Sequence, residues 1–88
     1  MIEPIKIIIN VVDDQEYILD LIRDLFNDNS EYNISCFTDP TEFEKAFDSN
    51  VDLVITDVRL GNGFDILKTI KDINDQSAST YIIVMSAY

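Results

Sequence analysis

Ile5-Lys6-Ile7-Ile8-Ile9-Asn10-Val11-Val12, ending abruptly on Asp13-Asp14, is the stretch from which the fold can be read. A β-branched apolar run this continuous predicts a central strand buried on both faces, as in a parallel sheet covered by helices. After the two aspartates the period changes. Ile18, Leu21, Ile22, Leu25 and Phe26 recur at i, i+3, i+4, i+7 and i+8, while Asp20, Arg23, Asp24 and Asp28 fall off that stripe, so a helix is predicted from about Gln15 to Asn27.

The same alternation continues downstream. Asn27 to Asn33 reads as a turn, and Ile34-Ser35-Cys36-Phe37-Thr38 as a short outer strand. Asp39-Pro40-Thr41-Glu42 supplies an N-cap, a proline at the first helical position and a glutamate at N3, opening a second helix with Phe43, Ala46 and Phe47 on its buried face. Val51 to Thr56 is a third strand and stops on Asp57. Gly61-Asn62-Gly63 is a turn, too short for a phosphate-cradling P-loop. Phe64, Leu67, Ile70 and Ile73 line a third helix, with Lys68, Lys71 and Asp72 toward water. Tyr81 to Met85 is the last strand, running into Ser86-Ala87-Tyr88. The order β-α-β-α-β-α-β with right-handed crossovers predicts an α/β fold, a doubly wound parallel sheet that binds ligands beyond the carboxyl ends of its strands.

Composition bounds what those ends can do. Eighty-eight residues make one small domain, and 47% hydrophobic content with two glycines and two prolines predicts a packed one. Seventeen acidic against six basic side chains give a formal charge of −11, which repels phosphate backbones and anionic membranes, so no direct nucleic-acid or membrane partner is expected. There is no histidine, and the single cysteine, Cys36, permits no internal disulfide or CxxC site. Cys36 reads as a small buried hydrophobe, and Phe43, Phe47 and Phe64 as helix core. With no signal-like segment and no apolar run near the roughly 20 residues of a membrane span, a cytoplasmic setting is expected.

Chemistry therefore falls to carboxylates and hydroxyls. Three strands end on unusual side chains: Asp13 and Asp14, Asp57, and Ser86. Adjacent parallel strands gather these ends, and each close pair of carboxylates repels by about 1 kcal/mol in water and more in a partly buried mouth. A hard divalent cation such as Mg²⁺ offsets that repulsion. Asp57 would then be a nucleophile beside a Lewis acid, arranged to take a phosphoryl group as an acyl phosphate, with Ser86 donating to the transferred oxygens. An aspartate that closes a strand can also be a plain N-cap, which is the competing reading of Asp14.

The signatures Val11-Val12-Asp13-Asp14-Gln15-Glu16, Leu53-Val54-Ile55-Thr56-Asp57-Val58-Arg59-Leu60 and Ile83-Val84-Met85-Ser86-Ala87 resemble the receiver domain of two-component response regulators, from Ile5 to Tyr88. The resemblance implies a flavodoxin-like sheet of order 2-1-3-4 for the strands present, and residues 1–88 as a single, incomplete receiver domain. It also implies roles: Asp57 as phosphoacceptor, Asp14 as a direct Mg²⁺ ligand, Asp13 as an acidic-pocket residue acting largely through water, Arg59 as a metal ligand through its backbone carbonyl, and Ser86 as the switch hydroxyl. A sensor histidine kinase or phosphotransfer protein would be the donor.

Two departures stand out. The family usually has a proline after the phosphoacceptor and a longer turn, whereas Leu60 runs directly into Gly61. The family's fourth helix, fifth strand and fifth helix have no counterpart, nor does the strand-five lysine; Lys6, Lys45, Lys68 and Lys71 occupy other elements. The last strand is then expected to be an open edge, apolar on both faces, through which the chain self-associates. The competing functions are a receiver remnant that acts by protein contact alone, and a haloacid-dehalogenase-like phosphohydrolase, whose DxD spacing Asp13-Asp14-Gln15 lacks.

Overall fold

The structure, a computed structural model, describes residues 6–59 and 65–85. Its elements are β1 (Ile7–Val12), α1 (Glu16–Phe26), β2 (Tyr32–Phe37), α2 (Pro40–Ala46), β3 (Leu53–Asp57), α3 (Ile66–Gln76) and β4 (Tyr81–Met85). The four strands form one sheet in the order β2-β1-β3-β4, with each neighbouring pair parallel. This is the flavodoxin-like doubly wound arrangement that the alternating pattern predicts.

Alternation along β1 builds both sides of the core. Ile9 and Val11 face α1, where they meet Leu19 and Ile22. Val12, with Ile8 beside it, faces the other way into a cluster of Phe43, Phe47, Val51, Val54 and Ile73 beneath α2 and α3. Phe43 is the central plug of that cluster, with the Phe37 and Phe47 rings 5.9 and 5.8 Å away. The buried phenylalanines are core, as their spacing predicts, while Phe64 and the Gly61-Asn62-Gly63 turn lie outside the described residues.

Buried Thr80 finds a partner: its hydroxyl donates to the Val51 carbonyl at 2.6 Å. Next to Val51 in the chain, the exposed Asp52 carboxylate accepts from the Ile8 amide at 2.8 Å, tying the entry of β3 to β1. Two helices begin on designed caps: Asp39 accepts from the Thr41 amide, with Pro40 at the first helical position, and Asp65 accepts from the Leu67 and Lys68 amides.

Several expectations need correction. β1 begins at Ile7, with Lys6 outside it. β2 begins at Tyr32, two residues before the predicted start, because Glu31 already presents its carbonyl to the Ile7 amide and Phe26 stacks edge-on against Tyr32. β3 begins at Leu53, since the Val51 amide closes a turn on the Asp48 carbonyl. Ala46 is exposed at the end of its helix.

The largest difference concerns helix faces. Leu21, Leu25 and Leu67 fall on the stripes expected to be buried, but they are 58%, 78% and 75% exposed, whereas Leu19, off the predicted stripe, is fully buried. The apolar arcs of α1 and α3 are wider than the sheet surface that each helix covers. Arg23 lies on the flank of α1 toward Cys36 of β2. At 100° per residue Leu25 points to the flank opposite Arg23. Beside α1, Ile9, Phe26, Leu53, Tyr81 and Ile83 line an apolar trough of about 630 Å³.

Candidate functional site

The site is assembled at the carboxyl ends of β1 and β3. These strands pair in register from Ile9 with Leu53 to Val12 with Thr56, so the residues that follow, Asp13 and Asp57, leave the sheet side by side. Asp13, Asp14 and Asp57 each place a carboxylate oxygen within 4.8 Å of the others. The strand ends that carry Asp13, Asp14 and Asp57 are thus brought together in space.

The three carboxylates sit in different surroundings. Asp13 is buried, at 4% exposed; its amide donates to the Phe37 carbonyl at 3.0 Å and its Oδ1 accepts from the Gln15 amide at 2.8 Å. Burial pushes its carboxyl above the usual range. Repulsion from Asp57 and Asp14 adds to that shift, and the Gln15 hydrogen bond partly opposes it. Asp57 is half-buried, and its Oδ1 accepts from the Arg59 amide at 3.1 Å. The Thr56 hydroxyl bonds the Asp57 carbonyl at 3.1 Å, fixing the backbone at the strand end. Asp14 is exposed. It is not the N-cap of α1: that position is Gln15, which makes no side-chain cap, so the plain capping reading of Asp14 fails.

Arg59 is exposed beside the site through its amide contact with Asp57. Ser86 lies outside the described residues. Its predecessor Met85 pairs in register with Asp57, and the Met85 carbonyl accepts from the Val58 amide at 2.9 Å. The Gln15 and Arg59 amides are contributors that sequence reading missed. They are backbone groups, and no side-chain pattern signals them.

Oxygen donors alone, three of them anionic and mutually within 4.8 Å, fit a hard divalent cation. Ligand oxygens around Mg²⁺ at about 2.1 Å lie roughly 3–4 Å apart, so small side-chain rotations suffice. Nitrogen and sulfur ligands, which zinc would favour, are missing from the cluster. Cys36 lies elsewhere, half-buried on β2, and burial pushes its thiol up, away from reactivity.

A parallel doubly wound sheet with an acidic cluster at the carboxyl ends of its central strands places that cluster where such sheets bind their ligands. The chain belongs to the response regulator receiver domain family, whose model matches residues 9–88. Compared by sequence with curated proteins, the chain matches none. Among solved structures it is similar to the signal receiver domain of an HD domain-containing protein from Pseudomonas fluorescens Pf-5, with TM-score 0.79 and 27% identity over 94% of this chain and 66% of that one. The RcsB response regulator of Salmonella typhimurium shares the fold at TM-score 0.78 and 24% identity, over 96% of this chain and 44% of that chain. So does a response regulator from Burkholderia pseudomallei, solved with a phosphorylated aspartic acid, a calcium ion and citrate, at TM-score 0.78 and 21% identity. This chain covers 48% of the Burkholderia protein and so spans less than half of either response regulator.

Proposed function

We propose that this receiver accepts a phosphoryl group on Asp57, with Mg²⁺ held among Asp13, Asp14 and Asp57, from a histidine kinase or phosphotransfer protein in the cytoplasm, and that residues 1–88 belong to a single, incomplete receiver domain. The supporting observation is the convergence of the three carboxylates within 4.8 Å at the rim of the sheet.

In this reading an Asp57 carboxylate oxygen attacks phosphorus. The new P–O bond forms as the bond to the donor's nitrogen or oxygen breaks, and the donor leaves with the electron pair. A cation held there would supply Lewis-acid neutralisation of charge on the transferring oxygens. Asp14, exposed, would ligate it directly, and Asp13, buried, largely through water, while the Gln15 amide orients the Asp13 carboxylate. The Arg59 amide holds the Asp57 oxygen at 3.1 Å and orients the nucleophile. The Arg59 carbonyl would complete the ligand set, and the Ser86 hydroxyl would donate to the phosphoryl oxygens. The calcium ion and phosphorylated aspartic acid of the similar Burkholderia protein are in keeping with a divalent cation beside a phosphoacceptor.

Incubation with a small phosphodonor and Mg²⁺, followed by intact mass, tests the reading. One phosphoryl group should be added, and none in Asp57→Asn; an adduct that persists in Asp57→Asn would refute it.

A second reading is a receiver remnant that acts by protein contact alone. Saturable Mg²⁺ binding separates the two readings, because a contact module has no need of it.

A further inference from the structure

Thr56 directly precedes Asp57 in β3 and is 2% exposed. Alternation along the strand puts its side chain on the face of Val54, the side covered by α2 and α3, and across the sheet it pairs with Val12. Val12 and Val54 are both fully buried. For packing alone, a valine of the same branched shape would serve this position as well, so the hydroxyl calls for its own explanation.

That explanation lies in how β1 leaves the sheet. In a strand the N–H and C=O of one residue point to the same neighbouring strand, and successive residues alternate between the two neighbours. The Val58 amide donates to the Met85 carbonyl of β4 at 2.9 Å, so the Asp57 carbonyl, at the other end of that peptide group, is directed toward β1. With Val12 opposite Thr56, the amide next in register for this carbonyl belongs to Asp14. β1 has already turned away there: the Asp13 amide goes to the Phe37 carbonyl of β2, and the Gln15 amide to the Asp13 carboxylate. Among the described residues no backbone amide donates to the Asp57 carbonyl; the Thr56 hydroxyl does, at 3.1 Å.

The same early departure of β1 brings the Asp13 and Asp14 carboxylates over the rim to within 4.8 Å of Asp57. Had the strand run on, its successive side chains would point to opposite faces of the sheet. Gathering three carboxylates therefore strips the Asp57 carbonyl of its ladder donor, and Thr56 replaces that donor from within its own strand.

We propose, on the reading of Asp57 as phosphoacceptor, that Thr56 is its positioning residue: the hydroxyl holds the Asp57–Val58 peptide group and so aims the Asp57 carboxylate. This peptide group is fixed at both ends, by Thr56 at the carbonyl and by Met85 at the amide. Donation to the carbonyl polarises the N–H and strengthens its bond to Met85. One residue on, the Arg59 amide meets Asp57 Oδ1 at 3.1 Å, so rotation of the 57–58 plane moves the group that orients the nucleophile. Met85 is followed in sequence by Ser86, and the clamp thereby ties the end of β3 to the strand that leads into Ser86. Without the hydroxyl the carbonyl turns to water or to the Asp14 amide, and Asp57 loses its aim.

Thr56→Ala and Thr56→Ser both remove the methyl group, and only Thr56→Ala removes the hydroxyl, so the pair separates the hydrogen bond from the packing. At saturating Mg²⁺ and a fixed concentration of a small phosphodonor, the phosphorylation rate read by intact mass should fall about tenfold in Thr56→Ala and stay within about twofold of wild type in Thr56→Ser, because misplacing a reacting group costs rate. Hydrogen exchange of the metal-free protein gives a readout independent of phosphorylation. The Val58 amide should exchange about tenfold faster in Thr56→Ala than in Thr56→Ser, while the amides of Val54 and Ile55 keep equal protection in both. Equal phosphorylation rates in the two variants, or a loss of protection spread evenly over β1 and β3, would overturn the positioning role and leave phosphorylation of Asp57 standing. No phosphoryl uptake by wild type would refute the phosphoacceptor reading instead, and equal Val58 exchange in the two variants would refute the clamp whatever the phosphorylation result.

Discussion

Among the described residues Asp13 carries the sharpest electrostatic conflict, a buried carboxylate beside two others with one backbone hydrogen bond in its favour. Its carboxyl holds a proton to higher pH in the folded chain than its ordinary value of 3.8. The sign follows from linkage: between that value and the raised one the folded state binds more protons than the unfolded state, so stability falls as pH rises through this window. Urea unfolding of metal-free protein should therefore show wild type losing stability relative to Asp13→Asn from about pH 4 upward, because asparagine keeps an acceptor for the Gln15 amide and removes the charge. A difference between the two proteins that stays constant with pH would contradict this. Above the window Mg²⁺ should restore stability to wild type, by about 1.4 kcal/mol at ten times its dissociation constant. Asp13, Asp14 and Asp57 were legible in the sequence because a strand that ends on a carboxylate points it at the rim. Thr80 was not: its hydrogen bond to the Val51 carbonyl spans 29 positions, and only the folded chain brings those residues together. Thr80→Val should cost about 1–3 kcal/mol in unfolding free energy, as the carbonyl is left buried without its donor.

At the scale of elements, order and type could be read from apolar period, while burial could not. A wheel of apolar residues identifies a helix and gives the width of its apolar arc, but the neighbours decide how much of that arc is covered. On α1 the sheet takes Leu19 and Ile22 and leaves Leu21 and Leu25 to solvent. Leu19→Ala should thus cost about 2–5 kcal/mol, and Leu25→Gln less than about 0.5 kcal/mol, both read from chemical denaturation. Comparable losses would return Leu25 to the core. The cap of α2 was legible down to its atoms, since aspartate before proline is a local signal, and Asp39→Ala should cost about 1 kcal/mol. Strand starts were less legible. The entry to β2 is fixed by the Glu31 carbonyl and the Phe26–Tyr32 ring contact, both of which depend on where β1 and α1 lie.

For the whole molecule, parallel pairing in the order β2-β1-β3-β4 does the work that matters for function. It places the ends of β1 and β3 side by side and so concentrates negative charge at one rim of an already acidic chain. It also leaves β4 outermost among the described strands, with apolar surface on both sides. Strand order was legible only through the family signatures, because period alone gives the sequence of elements and says nothing of which strands adjoin. The most direct measurement is calorimetric titration of the purified chain with Mg²⁺. Saturable 1:1 binding is expected, weakened at least tenfold by Asp14→Asn and by Asp57→Asn. No saturable binding at millimolar Mg²⁺, or binding that both substitutions leave unchanged, would contradict a shared cation site at Asp13, Asp14 and Asp57.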